Sequence, residues 1–200
     1  MAKEKNEMSR ENILANIKAN KPPLSPLPEV PSFLTGGHDL AGAFVKMAEG
    51  GAGKILEAES PAALDGLISR AFPDAGKIYC RVEGCFLGTI NPIEITNPAA
   101  LCDVDIAILP AHFGVAENGA VWLDESDLGL RISAFIAQHL VVVLKKKDIV
   151  ENMHIAYQQL KTGETGYGVF IAGPSKTADI EQALVIGAQA ARSFTVVLLA

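Results

Sequence analysis

From residue 38 onward, apolar runs of strand length alternate with segments of helical periodicity, and that alternation leaves few folds open. Helices that link successive strands cross a sheet face, so the strands lie parallel and helices cover the sheet. The least ambiguous strand is Val104-Asp-Ile-Ala-Ile-Leu109, nearly unbroken in aliphatic residues, as a strand buried on both faces has to be. Around it the pattern predicts helix over His38–Glu49, strand over Lys54–Glu57, helix from Ser60 to Ala71 and strand over Lys77–Val82. Ser60 supplies a capping hydroxyl, and Pro61 suits the first helical position. A Gly-containing loop is predicted over 111–119, then strands over Ala120–Leu123 and His139–Leu144. A helix over Asp148–Leu160 follows, with Ile149, Met153 and Ala156 on its inner stripe. Strand over Tyr167–Ala172, helix over Thr177–Gly187 and strand over Ser193–Leu199 close the chain. The expectation is an α/β fold with a layered, mostly parallel sheet and crossover helices.

The residues before position 38 read differently. Ser9–Asn20 carries Ile13, Leu14 and Ile17 on one stripe of a short amphipathic helix, with Ser9 as its cap. Pro22, Pro23, Pro26, Pro28 and Pro31 then exclude regular structure, since each fixes its own φ and restricts the residue before it. Residues 1–37 are therefore read as a helical arm with a proline-rich linker, and residues 38–200 as one α/β domain. The arm packs on its own domain or on a partner, or is a frayed leader.

Charge and cysteine usage remove several function classes. A net charge of -6 opposes nucleic-acid or anionic-membrane binding, and Lys145-Lys146-Lys147 reads as a solvated connection. No apolar run approaches the roughly 20 residues of a membrane span. The three cysteines, Cys80, Cys85 and Cys102, lack the paired spacing of a zinc or iron–sulfur site and read as free thiols in a reducing, cytoplasmic compartment. No metal site is expected.

Two loops hold the candidate chemistry. Gly173-Pro-Ser-Lys-Thr177 lies between a predicted strand and a predicted helix, where free amides, two hydroxyls and an ammonium would surround a small anionic metabolite. Gly173, Ser175, Lys176 and Thr177 are thus candidate ligand-binding residues. The alternative is a capped helix, with Asp179 and Glu181 complementing its dipole. The second loop carries His112, Glu117 and Asn118. Glu117 is a candidate base or nucleophile, His112 a candidate proton shuttle and Asn118 a candidate ligand contact, while a solvated turn residue and a structural histidine are the bland readings. Both loops are expected to open onto one pocket at the carboxyl edge of the sheet. His38, His139 and His154 show no metal-ligand spacing, and Arg131 and Arg192 are secondary candidates for a substrate carboxylate.

Several stretches together resemble the lactate utilization protein C family within the wider lactate-utilization (LUD) domain group. They are Asp105-Ile-Ala-Ile-Leu109, Gly114-Val-Ala-Glu-Asn-Gly119, His139-Leu-Val-Val-Val with Asp148-Ile-Val, and above all Gly173-Pro-Ser-Lys-Thr-Ala-Asp-Ile-Glu181 with Leu184, Val185 and Gly187. The resemblance implies a fold like that of the phosphosugar isomerases and CoA transferases. It also implies work with iron–sulfur partner proteins in oxidising L-lactate to pyruvate, the clusters residing in those partners and no cofactor bound directly. Where relatives commonly have Gly-Val-His-Gly-Pro, this chain has Gly187-Ala-Gln189-Ala190-Ala191. Gln189 retains hydrogen bonding as a candidate ligand contact but cannot titrate. A stand-alone enzyme or metabolite-binding protein for a CoA thioester, sugar phosphate or other small anion is the alternative. Whether the chain is itself an enzyme, and whether it forms a homo-oligomer, stays open at this point.

Overall fold

The computed structural model describes residues 2–29, 31, 33, 39–160, 166–177, 185–189 and 191–200. The chain divides into two compact units, residues 1–32 and 33–200. In the first, α1 (Ala2–Ala19) precedes residues 21–29, which have no regular structure. The helix starts well before Ser9, so that residue is interior and not the expected cap; Ala2, Lys3, Glu4 and Lys5 are good helix formers that carry it back. Ile13, Leu14 and Ile17 are exposed at 56%, 49% and 54%.

In the second unit, α2 (Leu40–Gly50) is capped by Asp39, whose carboxylate accepts from the Gly42 amide at 3.0 Å. His38 lies outside the described residues. The chain continues through β1 (Lys54–Ala58), α3 (Leu64–Ala71), β2 (Ile78–Cys80), β3 (Ile106–Pro110), β4 (Phe113–Val115) and β5 (Ala120–Asp124). Then come α4 (Glu125–Leu128), α5 (Ser133–Ile136), β6 (His139–Lys145), β7 (Ile149–Val150), α6 (Met153–Gln159) and β8 (Gly168–Ile171). The elements end with β9 (Lys176–Thr177), β10 (Val185–Ile186) and β11 (Ser193–Leu199).

Five strands form a parallel sheet in the order β1-β11-β6-β3-β2, the mostly parallel α/β architecture expected. Side-chain alternation sends successive residues to opposite faces. Ile106, Ile108, Val141, Val143 and Val197 meet Leu64 and Ile68 of α3 on one face. Ala107, Leu109, Leu140, Val142 and Leu144 face Phe44 of α2 and Val121 and Leu123 of β5 on the other. A second sheet, ordered β7-β4-β5-β8, supplies that facing layer. Phe113 and Val115 on its far side pack with Ala156 of α6. Among the described residues no helix is long and apolar enough to cross a membrane.

Three sequence expectations change here. The loop over 111–119 contains β4, because Phe113 and Val115 are large and β-prone and find Trp122 and Ala120 opposite them on β5. The helix expected from Asp148 begins only at Met153, since Ile149 and Val150 pair with Gly114 and Val115. The helix expected over Thr177–Gly187 is replaced at both ends by an antiparallel pair, Thr177 opposite Val185 and Lys176 opposite Ile186. Thr177, Val185 and Ile186 are β-branched and favour extended backbone. The Gly187 amide adds a bond to the Ser175 carbonyl at 2.8 Å. Residues 178–184, including Asp179 and Glu181, lie outside the described residues.

Candidate functional site

The Gly173 turn sits at the amino edge of the parallel sheet, opposite to the edge expected. Its strand, β8, pairs antiparallel with β5 in the second sheet, so the direction of β8 says nothing about the carboxyl edge of the first. The Ser175 amide donates to the Ala191 carbonyl at 3.2 Å, and the Arg192 amide to Gln138 at 2.8 Å, tying the turn to the segments that lead into β11 and β6. Gly173 holds φ 90°, and a Cβ there would run into the Gly51 carbonyl oxygen just ahead of β1. Only glycine gives the turn both that backbone and that approach.

A cavity of about 290 Å³ opens beside this turn. Phe135, Leu140, Ile171, Pro174 and Phe194 form apolar walls, and Ser175 and Lys176 supply a hydroxyl and an ammonium. The Lys176 Nζ lies 3.0 Å from where a Gly173 Cβ would stand, so the ammonium folds back over the turn. Among the described residues no carboxylate pairs with it. Of the residues predicted to bind ligand, Gly173, Ser175 and Lys176 therefore come together. Thr177 donates to the Val185 carbonyl at 3.3 Å, Gln189 is exposed, and neither lines the cavity. Lys176 and Thr177 form β9, so among the described residues no helix start is found at this turn.

Among the described residues, none of His112, Glu117 and Asn118 lines the cavity beside Gly173, so the two loops are not seen to share one pocket. Glu117 lines a different cavity with Phe33, Glu151, Asn152 and His154. Its Oε2 accepts from the Met153 amide at 2.8 Å, which satisfies a free donor in the first turn of α6. Asn118 is exposed, and its Oδ1 accepts from the Ala120 amide at 3.0 Å, shaping the β4–β5 turn. Gly119 closes that turn against α2, where a Cβ would meet the backbone of Ala48.

His112 forms a third group, whose acid members the sequence reading missed. Its Nε2 lies 2.9 Å from Asp124 Oδ2 and 3.0 Å from Asp127 Oδ2. Asp124 ends β5 and caps α4, accepting from the Ser126 amide at 2.8 Å, while Asp127 reaches back to the Asp124 amide at 2.9 Å. An acid at the cap and another three residues on, just after an apolar strand, is a readable capping-box signal. Burial works to raise Asp124, but hydrogen bonds from the Ser126 hydroxyl and amide, with His112 nearby, outweigh it and hold the carboxyl below its usual range. Burial raises Asp127 above that range, and the Asp124 charge pushes the same way. The three donor atoms lie within 4.8 Å of one another.

The other candidates have ordinary partners. Arg131 pairs with Glu125 at 2.8 Å and covers the Tyr167 ring, Lys146 pairs with Glu57 at 2.7 Å, and His154 stacks obliquely on Phe33. His139 Nδ1 lies 2.7 Å from Ser193 Oγ, on the opposite face of the same sheet edge from the Lys176 cavity.

The LUD domain profile matches residues 95–199, which include β3 to β11 and both loops. A crystal structure of a duf162 family protein from Deinococcus radiodurans is similar over 80% of this chain and 96% of that one, with a TM-score of 0.63 and 16% identity. At that identity the likeness shows the fold alone. None of the curated proteins compared matches the chain.

Proposed function

Because the chain belongs to the LUD domain family, we propose that it serves as a component of an iron–sulfur system oxidising L-lactate to pyruvate, with the clusters in partner proteins. In this reading residues 38–200 are the working domain, residues 1–37 its appendage, and the compartment a reducing cytoplasm. The observation that carries it is the make-up of the Lys176 cavity: one ammonium and one hydroxyl against apolar walls. A short hydroxy acid matches that set. Its carboxylate would meet Lys176, its hydroxyl Ser175, and its methyl the Phe135 and Phe194 side. At about 290 Å³ the cavity is just below the usual range for drug-sized ligands, which favours a three-carbon acid over a CoA thioester.

The test has two arms. Isolated protein is heated with lactate, pyruvate, sugar phosphates and CoA esters; lactate or pyruvate should raise its melting temperature, and Lys176→Ala should remove the effect. Protein co-expressed with its iron–sulfur partners is then purified anaerobically and assayed for lactate-dependent dye reduction. No stabilisation by either acid, together with no complex, would end the proposal.

A second reading, turnover of a small anionic metabolite by the chain alone, is favoured by one observation. Asp124 and Asp127 are driven apart in pKa beside His112, the arrangement by which neighbouring acids take different proton-transfer roles. Product formed by the isolated chain, and lost in His112→Ala, would support it.

A further inference from the structure

Cys80 closes β2, and Cys85 follows after a turn of four residues. The Cys85 amide donates to the Val82 carbonyl at 3.3 Å and Gly84 holds φ 79°, which makes Val82–Cys85 a type II turn. That turn reverses the chain onto its own start. The Cys80 thiol donates to the Val82 and Cys85 carbonyl oxygens, each at 3.9 Å, and both cysteine side chains pack against the same core cluster. Both cysteines are half-buried, which leaves each partly open to solvent, while Cys102 is exposed. The turn is also anchored from outside: the Phe86 amide donates to Asp65 of α3 at 3.0 Å.

We propose that Cys80 and Cys85 are a site of reversible two-electron oxidation by peroxide, closing to a disulfide across the 80–85 turn. The roles are asymmetric. The neighbouring Cys85 side chain is the chief influence on Cys80 and lowers its pKa, which favours the nucleophilic thiolate there. Cys85 itself is pushed up, chiefly by the neighbouring Cys80 side chain and by burial, and serves as the protonated resolving thiol. The Cys80 thiolate attacks one oxygen of hydrogen peroxide, the O–O bond breaks, and the departing hydroxide takes a proton to leave as water. Cys80 is then a sulfenic acid. The Cys85 sulfur attacks it, the S–O bond breaks, and the second water leaves with the Cys85 proton. In sum, two thiols and one peroxide give a disulfide and two waters, sulfur losing the two electrons that peroxide gains.

The third cysteine is an internal control. Full-length protein is treated with a small excess of hydrogen peroxide, quenched, denatured and alkylated, and its thiols are counted and mapped by mass spectrometry. From the 3 cysteines of the chain, the Cys80–Cys85 pair should disappear as one internal disulfide while Cys102 remains alkylated. A thiol reductant should restore the pair. In Cys85→Ser the Cys80 sulfenic acid should persist long enough to be trapped by dimedone. Folded protein should close the bridge at least about tenfold faster than urea-unfolded chain, since only the fold provides the thiolate and the approach. Closure no faster in the folded chain, or loss of Cys102 ahead of the pair, would overturn the proposal.

Discussion

Removing the imidazole of His112 would leave two acids that the fold buries side by side. Asp124 and Asp127 are 8% and 9% exposed, and each directs an Oδ2 at the same ring nitrogen. With the donor atoms within 4.8 Å of one another, two ionised carboxylates would repel by about 3–4 kcal/mol at an effective dielectric constant of about 20. Two features reduce that figure. The His112 side chain is 46% exposed, so water enters where it stood. Asp127, already raised by burial, can take up a proton. His112→Ala is therefore expected to cost about 1–3 kcal/mol near neutral pH, between the values for exposed and fully buried pairs. Adding Asp127→Asn should recover most of the loss, because one charge goes while an amide oxygen still accepts from the Asp124 amide. The pH dependence has a definite sign. A carboxyl whose folded pKa is raised favours the folded state most when protonated, so the deficit of His112→Ala should shrink as pH falls through the Asp127 folded pKa. Urea unfolding followed by Trp122 fluorescence, at neutral pH and near pH 4, measures it. A deficit equal at both pH values and untouched by Asp127→Asn would show that the ring acts by packing and not by charge.

Lys176→Ala should weaken lactate or pyruvate binding by about tenfold or more, the worth of one charge-assisted hydrogen bond, with Lys176→Arg retaining part of it; calorimetry reads both. Gly173→Ala should destabilise by about 1–3 kcal/mol through its φ of 90° and the clash with the Gly51 carbonyl, and should also remove lactate stabilisation. His139 has a folded pKa depressed first by burial and then by Arg192, so its contribution to stability is present above about pH 6.5 and lost as pH falls through the folded value. The melting temperature should drop on acidification, and His139→Gln should flatten that drop; an NMR titration placing the ring at or above its ordinary pKa would contradict this.

The parallel sheet was legible because its strands are buried on both faces. Runs such as Ile106–Leu109 and His139–Leu144 allow no other period, and they are found as strands within a residue or two. The second sheet was harder to read. β4 and β7 are three and two residues long, too short to carry a period, and become strands only through each other and β5. The same gap misplaced the site. A reader who takes Tyr167–Ala172 as another strand of the parallel sheet puts Gly173 at its carboxyl edge, and only the pairing of Val121 with Ile171 reveals the reversal. The partnership of His112 with Asp124 and Asp127 depends on β5 running back beside β4, a contact that local spacing does not encode.

Gly119 and Gly173 both rest on the corner where α2 turns into β1, the first on the backbone of Ala48 and the second on the carbonyl of Gly51. Main chain meets main chain at both points, so the spacing of the two loops is set by peptide units and leaves no side chain to vary. Any retuning of the cavity beside Gly173 has to come from its far walls, Phe135 and Phe194, where a change of ring or branch leaves those backbone contacts untouched.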